Sequence, residues 1–386
     1  MTFTIICLDG FRYDYLEKTE FLKNIAKKGI YGRLFHGFGY SSEFSAITGK
    51  DAEEMGIIVN NFVYKPNQEG LKFYRLFSFL ENNKNAKRIL DLVYNAKEFL
   101  AGNNQPKSIF NLPLSWSGNF DFFMKKNFFS GDVMGNRTVF QLLREKGKNV
   151  VGYMWPFIYK NNRTSIDFLN LGFDTSHADD RTFSKSLKML KDKPDIAYVH
   201  FFSTDNLVHK LGIHSSKTFE IIKKLDNFVK ELCRYSDKIL IFSDHGMVDV
   251  KKEWNLWSEI NRLNLRYGKD YIMFLDSTLA RFWFKNNEAE KAIRKILKKS
   301  QNGKIFHFKN PNISKNFGEL IFQANPGIII IPNFYQSFSY DKAMHGYSDK
   351  CREEQGLYIF SKHGIKSEKK DIKIKEIYNI INSEMD

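Results

Sequence analysis

Four short stretches of this sequence place acids and imidazoles where they could bind a metal: Asp9 in IICLDGFRYDYL, Asp205 and His209 in STDNLVHKLGIH, Asp244 and His245 in KILIFSDHGM, and His345 in AMHGYSD. A carboxylate joined by one or two imidazoles is ordinary ligation for zinc or manganese. If residues 205–209 form one helical turn, Asp205 and His209 share a face and can grip one cation. Asp244 and His245 pose a harder question. They follow an apolar strand, and neighbours on a continuing strand point to opposite faces. They converge on one ion only if the chain turns there, which Gly246 permits. Taken singly, each signal has a plain structural reading. An Asp after a strand more often caps a helix, a D-x-x-x-H is more often a surface pair, and an HG is more often a loop. The remaining histidines, His36, His177, His200, His214, His307 and His363, are read as structural. Of these, His214 alone is a candidate contact to a ligand or substrate.

The elements that must position these residues are strand-like runs alternating with helix-like ones. FTIICLD precedes the 3.6-period stretch DYLEKTEFLKNIAKKG. TVFQLLREKGK precedes NVVGYMW, SKSLKMLKDK precedes DIAYVHFF, and TFEIIKKLDNFVKELCRYS precedes KILIFSD. Unbroken apolar strands between amphipathic helices predict an α/β fold, a mainly parallel sheet sandwiched by helices. Ligands of such sheets gather at the strands' carboxyl ends, where Asp9, Asp205 and Asp244 fall. Two stretches break the rhythm, about 62–132 and about 253–340, and are expected to be insertions capping those ends within a single domain over 1–386. The Lys-rich tail GIKSEKKDIKIKEIYNIINSE is expected to be a solvated stretch leading to a final amphipathic helix.

With 386 residues and 42% hydrophobic content, the chain can bury a large core. Its formal charge of +15 favours anionic partners: phosphoesters, nucleic acid or an acidic membrane surface. The abundance of Lys, Asn, Ile and Phe is an equally ordinary compositional source of that charge. No run approaches the roughly 18 apolar residues of a membrane span, and MTFTIICLDGF lacks the regions of a signal peptide. Cys7, Cys233 and Cys351 are widely spaced with no CxxC, so free thiols and a cytoplasmic location are expected.

The order of the motifs adds what none carries alone. D-G-F-R, a serine-rich turn before SAITGK, D-x-x-x-H, S-D-H-G-M and H-G-Y together resemble the alkaline phosphatase superfamily, most closely its nucleotide pyrophosphatase/phosphodiesterase (type I phosphodiesterase) branch, from residue 3 to about residue 350. That resemblance implies a metal-dependent phosphoester hydrolase with two divalent ions, usually zinc, with manganese as an alternative. One ion would be held by Asp205, His209 and His345, the other by Asp9, Asp244, His245 and the nucleophile. The family places a Ser or Thr nucleophile at the start of a helix ending in Thr-Gly, here Thr48–Gly49, so Ser41 and Ser42 are the candidates. Ser41 follows Gly39–Tyr40, as in bacterial relatives. The pattern departs from the family's in three ways. The gap to Thr-Gly is about two residues shorter, Phe44 stands near the place of an Asn, and Met55 replaces a His. The implied reaction is hydrolysis of a small anionic phosphoester through a phosphoserine, with a diester preferred. A phosphomonoesterase, mutase or phospho-group transferase would use the same residues. A basic nucleic-acid-binding protein with a non-catalytic metal site is the rival from another class, supported by charge alone. The missing Cys/Ser-x-Pro-x-Arg motif argues against a sulfatase.

Overall fold

The structure, a computed structural model, describes residues 1–59, 62–66, 69–81, 83–100, 112–122, 132–133, 135–153, 177–308, 315–334 and 341–385. The chain divides into two compact units. One comprises Met1–Met55, Lys126–Asp249 and Ser348–Asp386, the other Gly56–Lys125 and Val250–Tyr347.

In the first unit the sheet is built from β1 (Phe3–Leu8), β2 (Ile30–Phe35), β3 (Val150–Tyr153), β4 (Ile196–Phe201), β5 (Lys238–Phe242) and β6 (Gly356–Lys362). Their order is β2-β6-β5-β1-β4-β3. The run β5, β1, β4, β3 is parallel, whereas β6 pairs antiparallel with both of its neighbours. Every residue of β1 and β4 is buried, which is why these strands read as continuous apolar runs rather than alternating ones. Among the described residues the helices of this unit include α1 (Phe21–Ala26), α2 (Ser42–Thr48), α3 (Val139–Glu145), α4 (Ala178–Lys191), α5 (Ser203–Leu211), α6 (Ser216–Cys233) and α7 (Glu376–Ser383), with a single helical turn at Ala52–Met55 after α2. On one face Ile6, Leu8, Val199 and Ile241 of the sheet share a core with Leu22 of α1 and Ile222 and Val229 of α6. The α/β, mainly parallel architecture expected from the alternation is the one observed.

Two local expectations fail for identifiable reasons. DYLEKTEFLKNIAKKG does not form one helix; it splits into a 3-10 turn over Tyr13–Lys18 and α1. At the break, the Asp226 carboxylate of α6 accepts the N–H groups of Glu20, Phe21 and Leu22 at 3.0, 2.9 and 2.8 Å. A distant acid thus satisfies the orphan donors of α1 and sets where it starts. The Lys-rich tail is not merely solvated either. Glu368–Lys369 and Ile372–Lys373 pair parallel with β2, covering a strand that would otherwise be a bare edge.

The second unit contains a four-stranded antiparallel sheet in the order Tyr271–Leu275, Leu279–Phe284, Leu320–Ala324, Gly303–Phe306. Inside it, Arg281 is fully buried. Its Nε donates to Asp276 Oδ2 at 2.7 Å, its Nη1 donates to the Phe62 carbonyl at 2.9 Å, and its guanidinium lies over the Phe274 ring. Removing one partner strands the other charge. Asp276→Ala is therefore expected to destabilise this unit by about 3–5 kcal/mol, and the double replacement Asp276→Leu/Arg281→Met by clearly less. Urea unfolding followed by tryptophan fluorescence measures both, and a single variant that unfolds like wild type contradicts this account of the pair.

Candidate metal centre

Strands β5, β1 and β4 are parallel neighbours, so their carboxyl ends lie side by side. Asp9 follows β1 directly, Asp205 and His209 lie on α5 just past β4, and Asp244–His245 follow β5. Gly10 adopts φ +66°, and a Cβ there would stand 3.1 Å from Asp205 Cα. The turn after β1 and its close approach to α5 both require glycine. The Gly10 N–H donates to Asp244 Oδ1 at 3.2 Å, and the Phe11 N–H to Ser243 Oγ at 2.9 Å, tying the β1 turn to the β5 turn. The start of α5 is held by buried Asp179, whose carboxylate accepts the N–H groups of Phe202 and Ser203, each at 3.0 Å.

The chain turns after β5, and glycine permits the turn by leaving space. Gly246 lies outside the left-handed region; what it needs is space, because a Cβ would fall 2.2 Å from the Glu353 carbonyl oxygen. Its N–H donates to the Glu354 carbonyl at 2.7 Å. The Glu354 side chain pairs with His36 at 3.2 Å, both buried. Burial alone would lower the His36 pKa, but the hydrogen bond to Glu354 and its charge outweigh that and raise it.

With the chain turned in this way, Asp244 and His245 converge. His245 Nε2 is 3.3 Å from Asp244 Oδ2, 3.4 Å from Asp9 Oδ1 and 3.9 Å from Asp205 Oδ1. His209 Nε2 is 3.1 Å from Asp205 Oδ1, as one turn of helix predicts. His245 Nδ1 lies 2.8 Å from the Gly246 carbonyl. That contact places a proton on Nδ1, so in a neutral ring the lone pair sits on Nε2, the nitrogen that faces the carboxylates. A lone pair aimed at several carboxylates is unfavourable unless a positive species stands among them. Ligand atoms about 2.1 Å from a tetrahedral ion stand about 3.4 Å apart, close to the separations here. Asp9, Asp244 and His245 offer ligand atoms that all lie within 4.8 Å of one another. The donor set fits a divalent cation.

The electrostatics lead to the same conclusion. Burial, and then the charges of Asp244, Asp205 and Glu43, push the Asp9 carboxyl well above the usual carboxylate range. Glu43 is pushed up by burial and by Asp244 and Asp205. Asp244 is raised by burial, with His245 opposing and Asp205 adding to the shift. Each acid disfavours its neighbours' ionisation, and a divalent cation relieves all of them together.

Two residues of this centre escaped the sequence reading. His200, taken as structural, is buried at the end of β4 with Nε2 3.0 Å from Asp9 Oδ2 and its ring stacked on Phe202 at 4.0 Å. Burial lowers its pKa to about 3, so it stays neutral. Glu43 joins Asp9 and His200 in a further group of ligand atoms within 4.8 Å of one another. A signal existed for His200, the imidazole in a strand otherwise apolar enough to be buried throughout. Glu43 had none, since an acid in the first turn of a helix is ordinary. His345 lies in the second unit, half-buried directly after the short strand Ala343–Met344. His214 is exposed.

Ser41 and Ser42 open α2, which ends at Thr48 with Gly49 at φ 72°. Ser41 occupies the capping position and is 1% exposed, yet its side chain makes no capping bond, and its Oγ has no hydrogen-bond partner among the described residues. Burying a hydroxyl that way is costly, and helix capping therefore does not account for it. Met55, where the family pattern has His, brings Sδ within 3.1 Å of Thr48 Oγ1.

A family model described as type I phosphodiesterase / nucleotide pyrophosphatase matches residues 4–348. Murine and human ectonucleotide pyrophosphatase / phosphodiesterase 5 each superpose with a TM-score of 0.69 at 15% identity, covering 100% of this chain and 95% of theirs. An inactive variant of the murine protein in complex with AMP gives a TM-score of 0.67 at 15% identity, covering 99% of this chain and 94% of that one. At that identity the superpositions speak to the fold alone.

The raised carboxyls make a pH prediction. Unfolded, they titrate near about 4, so the metal-free folded state binds more protons than the unfolded chain. Its stability contribution is therefore lost as pH rises from about 4 through the raised values. A bound cation replaces those protons. The gain in Tm on adding zinc or manganese to chelator-treated protein is thus expected to grow as pH rises above the ordinary carboxylate range of about 4. A gain that is absent, or flat with pH, would remove the cation from this site.

Proposed function

The chain belongs to the type I phosphodiesterase / nucleotide pyrophosphatase family, and on that premise we propose that it hydrolyses small nucleotide-type phosphodiesters or pyrophosphates through a phosphoserine formed at Ser41. Family membership makes it a metal-dependent hydrolase of phosphoester and phosphoanhydride bonds. The observation that carries the finer reading is the buried Ser41 Oγ with no hydrogen-bond partner among the described residues. We assign two divalent ions, zinc or in its place manganese. Asp9, Asp244, His245 and Ser41 would hold one, and Asp205 and His209 the other. His345 joins the second set on the strength of its H-G-Y motif alone. When bound, the ions supply the Lewis acidity that lowers the pKa of a coordinated hydroxyl and spreads charge from the phosphoryl oxygens.

The protein's own groups do the rest. Ser41 loses its proton to solvent, and its Oγ forms a bond to phosphorus as the P–O bond to the leaving group breaks, the electron pair departing with that oxygen. Water then attacks the phosphoserine, the P–Oγ bond breaks, and Ser41 regains a proton. Neutral His200 donates its Nε2–H to Asp9 and fixes which oxygens of that carboxylate face inward. The acids Asp9, Glu43, Asp205 and Asp244 balance the charge of two divalent ions. That leaves little net attraction for a dianionic monoester and favours the monoanionic diester. The AMP held by the murine relative supports a nucleotide-type substrate. We propose a cytoplasmic location as well, since Cys7, Cys233 and Cys351 are all free.

Hydrolysis of bis(p-nitrophenyl) phosphate and p-nitrophenyl phosphate, with zinc or manganese supplied, tests this reading. Ser41→Ala is expected to lower kcat by at least about a thousandfold, on the scale of other lost nucleophiles. Asp244→Asn should weaken metal affinity and activity by about a hundredfold, and Ser42→Ala should stay within about threefold of wild type. An active Ser41→Ala beside an inactive Ser42→Ala would move the nucleophile. Activity untouched by Ser41→Ala, Ser42→Ala and Asp244→Asn would sink the site.

A further inference from the structure

We propose that an exposed apolar surface on residues 73–100 docks this protein onto an anionic membrane surface. Among the described residues, every exposed large hydrophobic side chain except Met1 and Tyr235 falls between Phe73 and Leu100. In the stretch Phe73–Leu80, Phe73 and Leu76 lie three residues apart on one face of the first 3-10 turn, and Phe79 is exposed just beyond a kink at Phe77. Leu76 is 70% and Phe79 is 79% exposed. In the helix Lys84–Leu100, Ile89, Leu92, Val93 and Leu100 follow the helical repeat and form one stripe, with Leu100 86% exposed.

The inward faces of both elements are occupied separately. Buried Tyr74 and Tyr94 meet with ring centroids 5.5 Å apart, and Leu90 is buried beside them on the inner side of its helix. Phe73 packs edge-on against Tyr74 and Phe77 while staying half-exposed, the other outward residues are more than half exposed, and a concentration of that kind among the described residues marks an interaction surface.

Charge selects the occupant. In this segment Lys72, Arg75, Lys84, Lys87, Arg88 and Lys97 outnumber Glu81, Asp91 and Glu98, and the whole chain carries +15. Exposed Arg88 and Lys97 flank the helical stripe. A second copy would bring like charge against like. An anionic headgroup layer brings the opposite charge, and long basic side chains can bury their stems in it while their heads stay at the phosphates. An apolar stripe edged by Arg and Lys is the pattern of a helix lying in the membrane interface. No described helix is long and apolar enough to cross a membrane, so the contact is peripheral. This surface also gives the excess of basic residues a role that a small-substrate active site does not require.

Flotation with phosphatidylcholine vesicles containing about 30% phosphatidylserine tests the proposal. Wild type is expected to float with them and to bind pure phosphatidylcholine at least about tenfold more weakly. Leu76→Ser/Phe79→Ser and Leu92→Ser/Val93→Ser should each weaken binding by at least about tenfold, with circular dichroism and Tm as in wild type. Arg75→Glu/Arg88→Glu should abolish the preference for phosphatidylserine. Failure to float with the anionic vesicles, or flotation that the serine variants leave intact, overturns the proposal. So does a wild-type dimer in sedimentation equilibrium that the same serine substitutions split, because the occupant would then be a second copy.

Discussion

The mutual repulsion of carboxylates gathered at the ends of three adjacent strands is the constraint on which this structure turns. Asp9, Asp205 and Asp244 approach a single imidazole nitrogen, and Glu43 adds a fourth acid to the same region. Buried acids at such separations hold protons against one another unless a cation replaces those protons. The fold brings them together all the same, through the hydrogen bonds and close backbone contacts of the turns after β1 and β5.

Those contacts explain otherwise arbitrary features of the chain. Gly10 is needed where the β1 turn meets the backbone of α5, and Gly246 where the β5 turn meets the segment leading into β6. Asp179 fixes the start of α5, and the buried His36–Glu354 pair stands behind the Gly246 turn. None of these groups needs to touch a substrate. They hold donor atoms at the spacing a cation requires, and such support decides whether a metal site is tight or loose.

The family relationship and the geometry are complementary. Membership identifies the reaction class and predicts which residue types recur in which order. The structure adds Glu43 and neutral His200 beside Asp9, which the motifs did not bring into the site. Glu43 adds a negative charge to the centre, and His200 adds a neutral hydrogen-bonding partner for Asp9. The exposed apolar residues of 73–100 lie outside that chemistry and concern where the enzyme works rather than what it cleaves.

The sequence by itself determined the class of fold, the family's reaction class and most of the acids and imidazoles that the structure gathers at the strand ends. Continuous apolar strands between amphipathic helices allow little but a parallel sheet covered on both faces, and D-x-x-x-H states a helical pairing directly. Tertiary structure alone decided the rest, because the deciding contacts join residues far apart in the chain. The helix expected across residues 14–29 breaks where Asp226 of α6 caps α1. Gly246 serves a close approach to Glu353 that no local pattern reveals. His200 reads as one more residue of a buried strand until the register of β1 and β4 places it against Asp9. Local periodicity reports which way a side chain faces; what it faces is settled only when the strands are laid side by side.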